Sequence, residues 1–233
     1  MLDEAQDLSA MQCRGIARRC PTGSVTVLGD LAQGTTAWST PDWHVTLNHL
    51  GKPAARIEPL TRGYRVPADV IAFANRLLPH LAAGLEPAMS IRSAAGALRV
   101  RTVPEVTTAA AQETVRALAE EGSVGVIVAD AEVSATGRAL TAAGVPYLLL
   151  GAEEQAGPEN DPAPEETGSP PRVSLVPATL AKGLEFDHVV VVEPATIVEA
   201  EPRGLRRLYV VLTRAVSRLA VVHARPLPAE LSG

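Results

Sequence analysis

Hydrophobic and polar positions along the chain follow two patterns, short apolar runs and longer segments with helical spacing. The runs at 124–129 and 188–193 are rich in valine, which is typical of strands buried on both faces of a sheet. Residues 107–121, which are rich in alanine, and residues 132–143 are predicted to form helices. Because strands and helices alternate, we expect an α/β fold with a doubly wound parallel sheet.

The same two patterns predict further elements along the chain. The other predicted strands are 24–29, 56–60, 98–103, 147–150, 172–176 and 219–224. The other predicted helices are 8–20, 67–81 and 203–217, and 182–185 is expected to form a turn or a short helix.

These elements divide the chain into parts of unequal size. Residues 1–40 predict the end of a strand, a helix, a strand and a loop, too little for a domain, so we expect the remnant of a preceding lobe. Residues 41–54 are expected to link it to a complete lobe at 55–225, which 226–233 follow as a tail. Within that lobe, 151–171 hold six acidic residues, five prolines and no Lys or Arg, which predicts a mobile surface loop.

Composition narrows the function classes. The chain has 233 residues, 46% of them hydrophobic, but no apolar run approaches the roughly 20 residues of a membrane-spanning helix. Its start is acidic and lacks the pattern of a secretory signal, which predicts a cytoplasmic protein without membrane contact. Cys13 and Cys20 have no partners at metal-ligand spacing. A net charge of −5 neither supports nor excludes nucleic-acid binding, since a local basic groove can exist on an acidic protein.

An Asp-Glu pair, Asp3 and Glu4, lies between an apolar start and the predicted helix 8–20. Motors that hydrolyse nucleoside triphosphates use such a pair: one carboxylate holds Mg²⁺ and the other orients the attacking water. Acidic residues at the start of a helix also complement the helix dipole. Taken alone, the pair favours this second, purely structural interpretation.

Further motifs follow the acidic pair and change that balance. In chain order they are Leu28-Gly29-Asp30 with Gln33, Thr61-Arg62-Gly63-Tyr64-Arg65, Lys182-Gly183-Leu184-Glu185-Phe186-Asp187 and Tyr209-Val210-Val211-Leu212-Thr213-Arg214-Ala215. With these motifs the chain resembles the UvrD/Rep branch of superfamily 1 helicases over nearly its whole length. The resemblance implies RecA-like lobes of the P-loop NTPase type, with ATP and Mg²⁺ bound between two of them.

The resemblance also implies roles for residues of the remnant. Asp3 corresponds to the carboxylate that holds Mg²⁺, and Glu4 to the residue that polarises the hydrolytic water. Gln33 would sense the γ-phosphate, while Asp30 would hold the loop that carries it. Trp38 occupies the position of an aromatic residue close to single-stranded DNA, although it could instead wedge the hinge between the lobes.

Residues of the second lobe receive roles in the same way. Arg65 and Arg214 would reach the γ-phosphate, because planar guanidinium groups suit the charge on a transferring phosphoryl group. Glu185 is similar to the family's ribose-binding acid, Gly183 would let the backbone approach the nucleotide closely, and Tyr64 would lie near the base. Structural alternatives remain, in which Arg65 caps a helix and Glu185 is a solvated acid.

The chain departs from the family pattern at several points. Thr179-Leu180 replaces the usual His-Ser pair that contacts the strand, and Gly63 replaces the usual Asn before Tyr-Arg. No Gly-x-x-x-x-Gly-Lys-Ser/Thr segment occurs, so nothing is available to cradle the phosphates. We therefore expect a missing amino-terminal motor lobe to be the main partner and the chain alone to hydrolyse little ATP.

Within the family, the chain looks closest to the HelD-like branch, which acts on RNA polymerase. The segments 3–9 and 180–187 favour that branch. An alternative function is therefore a protein-binding module associated with RNA polymerase, in which ATP hydrolysis is secondary or lost.

Overall fold

The computed structural model describes residues 1–20, 23–40, 42–82, 84–151 and 170–232. At its centre is a six-stranded sheet in which all neighbouring strands are parallel. In chain order the strands are β1 (Arg62–Gly63), β2 (Met89–Ser90), β3 (Leu98–Thr102), β4 (Val124–Val128), β5 (Tyr147–Leu149), β6 (Val173–Pro177), β7 (Phe186–Val192) and β8 (Ala215–His223). The large sheet has the order β3-β8-β7-β4-β6-β5, while β1 and β2 form a separate parallel pair.

Helices cover both faces of the large sheet. In chain order the helices of the described residues are α1 (Ala10–Arg19), α2 (Trp43–His49), α3 (Ala68–Asn75), α4 (Leu78–Leu81), α5 (Val106–Leu118), α6 (Val133–Ala142), α7 (Pro194–Glu199) and α8 (Gly204–Leu212), of which α3 to α8 pack on the large sheet. The cores on the two faces are separate: α5 and α6 contribute to one, and α3, α4, α7 and α8 to the other. The predicted doubly wound parallel α/β fold is confirmed.

The central strands explain why their sequence is apolar without alternation. In β4, Val126 belongs to the core under α5 and α6, whereas Ile127 belongs to the core on the opposite face. In β7, Val190 and Val191 divide in the same way. Each of these side chains is fully buried, which contributes roughly 1.5–3 kcal/mol relative to exposure.

Two predicted strands do not form. Residues 56–60 are exposed and carry an ion pair between Arg56 and Glu58, and the chain reaches its short strand β1 only afterwards. Residues 24–29 form a single parallel bridge, between Leu2 and Val27. A parallel strand is stable when it has neighbours and cover on both faces, and in the described structure Leu28 is 38% exposed.

The helices also differ from their predicted bounds. The segment 41–54, expected to be a linker, contains α2, and α7 was not predicted at all. The predicted helix 67–81 is divided into α3 and α4, because Pro79 has no N–H to continue the helical hydrogen bonds. The predicted helix 203–217 ends at Leu212, where the hydroxyl of Thr213 donates to carbonyl groups of the last turn.

Most of the acidic, proline-rich segment 151–171 lies outside the described residues, so its predicted mobility stays a prediction. Over the described ranges, no helix combines the length and the apolar character needed to cross a bilayer.

The start of α8 packs directly against the last turn of α7. A Cβ atom on Gly204 would lie 1.9 Å from the carbonyl oxygen of Val198. We expect Gly204→Ala to lower the free energy of unfolding by about 1–3 kcal/mol, because main-chain atoms would have to separate. Gly15→Ala is the matched control, since a Cβ there meets nothing within 4 Å and should stabilise α1 by about 0.5–1 kcal/mol. Urea midpoints measure both, and midpoints that rise together would contradict the close approach.

Asp187 closes the connection between α5 and β4. Its Oδ2 accepts hydrogen bonds from Ser123 N, at 2.8 Å, and from Ser123 Oγ, at 3.0 Å. The main-chain bond from Ser123 is the largest cause that lowers the pKa of Asp187; burial opposes it, and the Ser123 hydroxyl and the nearby His188 add to it. A carboxyl group with a lowered folded-state pKa stabilises the fold above its unfolded-state pKa.

This stabilisation should disappear as the pH falls through the folded-state pKa of Asp187. We expect Asp187→Asn to be less stable than the wild type at neutral pH but to lose less stability on acidification. Urea unfolding at neutral and acid pH measures the difference. Glu86→Gln, at an exposed position, is the control that should keep the wild-type pH dependence.

Candidate functional site

The acidic motif and the loop after 24–29 are joined by the side chain of Gln6, which is 2% exposed. Its Nε2 donates to Glu4 Oε2 at 2.6 Å, and its Oε1 accepts from Asp30 N at 3.1 Å. Gly29 makes this contact possible, because a Cβ there would lie 2.2 Å from Gln6 Oε1. The first and second motifs of the sequence therefore form one unit.

Asp30 fixes the side chain of Gln33. Its Oδ1 accepts from Ala32 N at 2.8 Å and so caps a short 3-10 helix, Leu31–Gln33. Its Oδ2 accepts from Gln33 Nε2 at 2.9 Å, which leaves the Gln33 carbonyl oxygen directed away from Asp30.

Arg214 meets that carbonyl oxygen from the second lobe. Its Nη2 donates to Gln33 Oε1 at 3.0 Å and also to the Thr213 hydroxyl at 3.3 Å. Its Nε and Nη1 donate to the main-chain carbonyls of Val210, at 2.9 Å, and Leu184, at 3.1 Å. Only 4% of the residue is exposed, and all four partners are neutral.

Burial and the neighbouring charges act on Arg214 in opposite directions. Burial is the largest cause that lowers the pKa of Arg214, and the charge of Arg65 adds to it, while Glu185, Glu4 and Asp30 act in the opposite direction. A guanidinium remains protonated in proteins. Such a group, positioned and desolvated, attracts an anion with oxygen acceptors.

Arg65 and Glu185 lie beside Arg214 and form an ion pair with each other. Both side chains are about half exposed, so this pair can exchange its partners with solvent or a ligand at little cost. Gly183 lies two residues before Glu185 with a φ of +80°, a conformation that favours glycine, and has open space where a Cβ would be. Tyr64, next to Arg65, is 71% exposed.

Lys182 connects the acidic motif to the second lobe. Its ammonium group forms an ion pair with Asp7, lies 3.3 Å from Glu4 Oε2 and donates to the main-chain carbonyl of Gln33 at 2.8 Å. The side chains of Lys182 and Asp7 are each about one-fifth exposed. The contact therefore holds the two parts of the site together from a partly buried position.

The remaining predicted residues lie around this cluster or apart from it. Asp3 is exposed, and its Oδ1 accepts from the main-chain N–H of Glu4 at 2.9 Å. Trp38 is 54% exposed, and its Nε1 donates to the carbonyl of Asp7 at 2.7 Å. Thr179 lies apart, where its hydroxyl donates to Asp130 Oδ2 at 2.6 Å beyond the end of β4.

Several residues of the site were not predicted from the sequence. One of them, Gln6, binds within residues 1–40. The others make contacts between residues 1–40 and the second lobe: Asp7, Lys182, Arg203 and Arg206. Lys182 stands next to the predicted Gly183, Arg203 lies directly before α8, and Arg206 lies in the first turn of that largely apolar helix.

The described cavities are not at this cluster. One of about 370 Å³ lies between α5 and the strands β3, β7 and β8, and one of about 410 Å³ lies beside Trp43 and Leu85. The cluster is closed by the direct contact of Arg214 with Gln33, so a ligand there would have to displace side chains rather than fill a preformed space.

Lys182→Met should loosen the amino-terminal segment. The variant loses charge-assisted hydrogen bonds, and we expect about 1–3 kcal/mol lower stability. Hydrogen exchange should become faster at residues 4–7 and 31–34. Lys52→Met is the matched control, because Lys52 is the other lysine of the sequence and lies outside the cluster. Unchanged exchange at both segments would show that Lys182 does not hold them.

Comparisons with known proteins reveal similarity at the level of the fold. No family model matches the sequence, and no curated protein matches it. The carboxy-terminal domain of a possible DNA helicase from Lactobacillus plantarum WCFS1 matches with a TM-score of 0.50 and 23% identity, over 73% of this chain and 92% of that chain. The arterivirus nonstructural protein 10 (helicase), solved in complex with DNA, matches with a TM-score of 0.34 and 16% identity, over 57% of this chain and 30% of that chain. The similarity to the carboxy-terminal domain of the possible DNA helicase and the all-parallel sheet together show a RecA-like α/β fold.

Proposed function

We propose that this chain is a motor portion of an ATP-dependent DNA helicase or translocase of the UvrD type, with ATP bound between residues 1–40 and the second lobe. The observation that carries the proposal is the buried guanidinium of Arg214, whose bonded partners are all neutral. A buried cation is costly in free energy unless an anion completes its surroundings. The γ-phosphate of ATP is such an anion.

Both arginines of the proposed site already hold an oxygen acceptor that phosphate oxygens would replace. Arg214 binds Gln33 Oε1, and Arg65 binds Glu185. On nucleotide binding, Arg65 and Arg214 would turn to the γ-phosphate, as arginine fingers do. Gln33 would then be released to contact the phosphate, and Glu185 to bind the ribose.

The nucleoside would lie along the exposed side of the cluster. Tyr64 presents most of its ring to solvent and would stack against the base. Gly183 leaves open space beside Glu185, and its positive φ explains why a side chain is disfavoured there. These are roles that the family resemblance suggested and that the exposed positions support.

The acidic motif fits a magnesium ion only together with the nucleotide. Among the described residues, no group of three or more His, Cys, Asp or Glu side chains could hold a metal alone. Mg²⁺ usually keeps several waters and binds one or two carboxylates plus substrate phosphates, so the exposed Asp3 is sufficient. The ion would neutralise charge on the phosphates, while Glu4, kept near Lys182 and Gln6, would orient the attacking water.

Contact with single-stranded DNA is assigned to Trp38. Its indole N–H is bonded to the carbonyl of Asp7, and more than half of the side chain remains exposed. Stacking of a base on such a ring is sequence-tolerant. Thr179, in the second lobe, would contribute a main-chain or hydroxyl contact.

The sequence contains no phosphate-binding loop. We therefore expect weak nucleotide binding and little hydrolysis unless a separate motor lobe supplies such a loop. The alternative is a module that binds RNA polymerase, as the HelD-like motifs suggest, and uses no nucleotide. In that case Arg65 and Arg214 are structural.

Binding of a fluorescent ATP analogue in the presence of Mg²⁺ tests the proposal. Arg65→Ala and Arg214→Ala should each weaken binding about 10- to 100-fold, because each removes a charge-assisted bond to phosphate. With a lobe carrying a phosphate-binding loop supplied in the same polypeptide, Arg214→Ala should lower kcat for DNA-stimulated ATP hydrolysis about 10³-fold or more.

Arg218→Ala is the control, because Arg218 forms an exposed ion pair with Glu120 outside the cluster. Thermal melting separates loss of binding from loss of folding. The Arg65→Ala variant should lose the least stability, because the Arg65 side chain is half exposed. Nucleotide affinity that is the same in all variants would favour the nucleotide-independent module.

A further inference from the structure

Two arginines at the start of α8 bind the main chain of the loop that follows Gln33. The guanidinium of Arg203 donates to the carbonyls of Gly34 at 3.3 Å, Ala37 at 3.1 Å and Ser39 at 3.0 Å. The guanidinium of Arg206 donates to the carbonyl of Leu31, and to that of Leu81, at the end of α4, at 2.6 Å. Together they hold four carbonyl groups of the segment 31–39.

This segment has little internal structure to define its position. Its own main-chain bonds are turns, from Gly34 to Leu31 at 3.4 Å and from Ser39 to Thr36 at 3.1 Å. A guanidinium offers five donors in a rigid planar fork, so a single Arg203 fixes three separate points of the loop. The position of the loop is therefore set by bonds from outside it, four of them from the two arginines and two from the side chains of Trp38 and Ser39 to Asp7.

The segment carries two side chains that contact different ligands in the proposed function: Gln33 contacts the nucleotide and Trp38 contacts single-stranded DNA. Gln33 contacts Arg214, and Trp38 presents an exposed ring. Trp38 lies between Ala37 and Ser39, the two residues whose carbonyls bind the same Nη2 atom of Arg203. A change in the position of Arg203 must therefore move the base of the Trp38 side chain.

Helix α8 joins Arg203 to Arg214 as a rigid rod. Arg203 precedes its first residue and Arg214 follows its last by two positions, so the nine helical residues span roughly 13 Å between them. The helix is buried along most of its length and packs against α7 and the sheet. A displacement at one end is therefore transmitted to the other end.

We infer that Arg203 and Arg206 are positioning residues that couple the nucleotide site to Trp38, by holding the main chain of the segment 31–39 on α8. This inference rests on the proposed function. When phosphate draws Arg214 away from Gln33, α8 moves relative to residues 1–30, and the two arginines carry the loop and Trp38 with it.

Trp38 fluorescence in this chain provides the test. In a Trp43→Phe background Trp38 is the only tryptophan, since the sequence contains two. Arg203→Met should raise the acrylamide quenching constant of Trp38 and weaken binding of an oligo-dT strand about tenfold, because the stacking ring is no longer held in place. Arg203→Lys should rescue only partly, since one ammonium cannot reach three carbonyls in a fixed plane.

A readout of coupling separates positioning from simple support of the fold. At saturating Mg²⁺ and ATP analogue, the Trp38 emission of the background protein should shift, and in Arg203→Met this shift should disappear while nucleotide affinity stays within about twofold. Arg206→Met should act in the same way. Arg225→Met is the matched control, because Arg225 forms an exposed ion pair with Glu199 and does not contact the loop.

The outcomes distinguish the two proposals. If neither nucleotide nor oligo-dT binds the background protein, the proposed function fails, and the quenching constant of Trp38 alone decides whether the arginines position the loop. If Arg203→Met keeps the background values of quenching, oligo-dT affinity and nucleotide-dependent shift, the inference is overturned.

Discussion

The guanidinium of Arg214 is the constraint around which the two parts of the molecule are arranged. A permanent cation that is 4% exposed needs hydrogen-bond acceptors around it, and the second lobe supplies three of the four that Arg214 has, at Val210, Leu184 and Thr213. The remaining acceptor, Gln33, belongs to the amino-terminal segment. Contact between the two parts is thus a requirement of burying this one side chain, and Asp30 and Gln6 in turn hold Gln33 and the acidic motif in register with it.

The placement of this cluster is unusual for an open parallel sheet. Ligands of such sheets commonly bind outside the carboxyl ends of the strands. Here Arg214 and Glu185 stand at the beginning of β8 and β7, while Arg203 and Arg206 stand at the other end of α8. The side chains of the site therefore lie along α8 on one face of the lobe, and the amino-terminal segment covers that face.

The sequence predicted the parts of the fold that are governed by local periodicity. β4 and β7 were recognisable because burial on both faces makes them apolar over most of their length, and α5 because it is rich in alanine. Residues 56–60 are apolar enough to suggest a strand, but strand formation depends on a partner that the local sequence does not reveal. The helix α2 was not predicted from its sequence pattern. Its stability comes instead from packing Leu47, and Leu50 directly after the helix, into the interior.

The candidate site was predictable where its residues belong to ordered motifs, and not where they act through contacts between distant segments. Arg65, Glu185, Arg214 and Gln33 came from the motif order, whereas Lys182, Arg203 and Arg206 became visible only through contacts between segments that are more than 100 residues apart. Those contacts join long side chains to distant acceptors, and no spacing rule along the chain describes them.

The loop 31–39 is recognised through carbonyl oxygens, which every amino acid possesses. Mutation of the exposed Ala37 would change the side chain at that position without removing the acceptor that Arg203 uses. Pairs of positions joined in this way do not have to vary together during evolution. Relatives of this chain should therefore keep arginine at position 203 while the side chain at position 37 varies, and methods that detect correlated substitutions would pass over the connection.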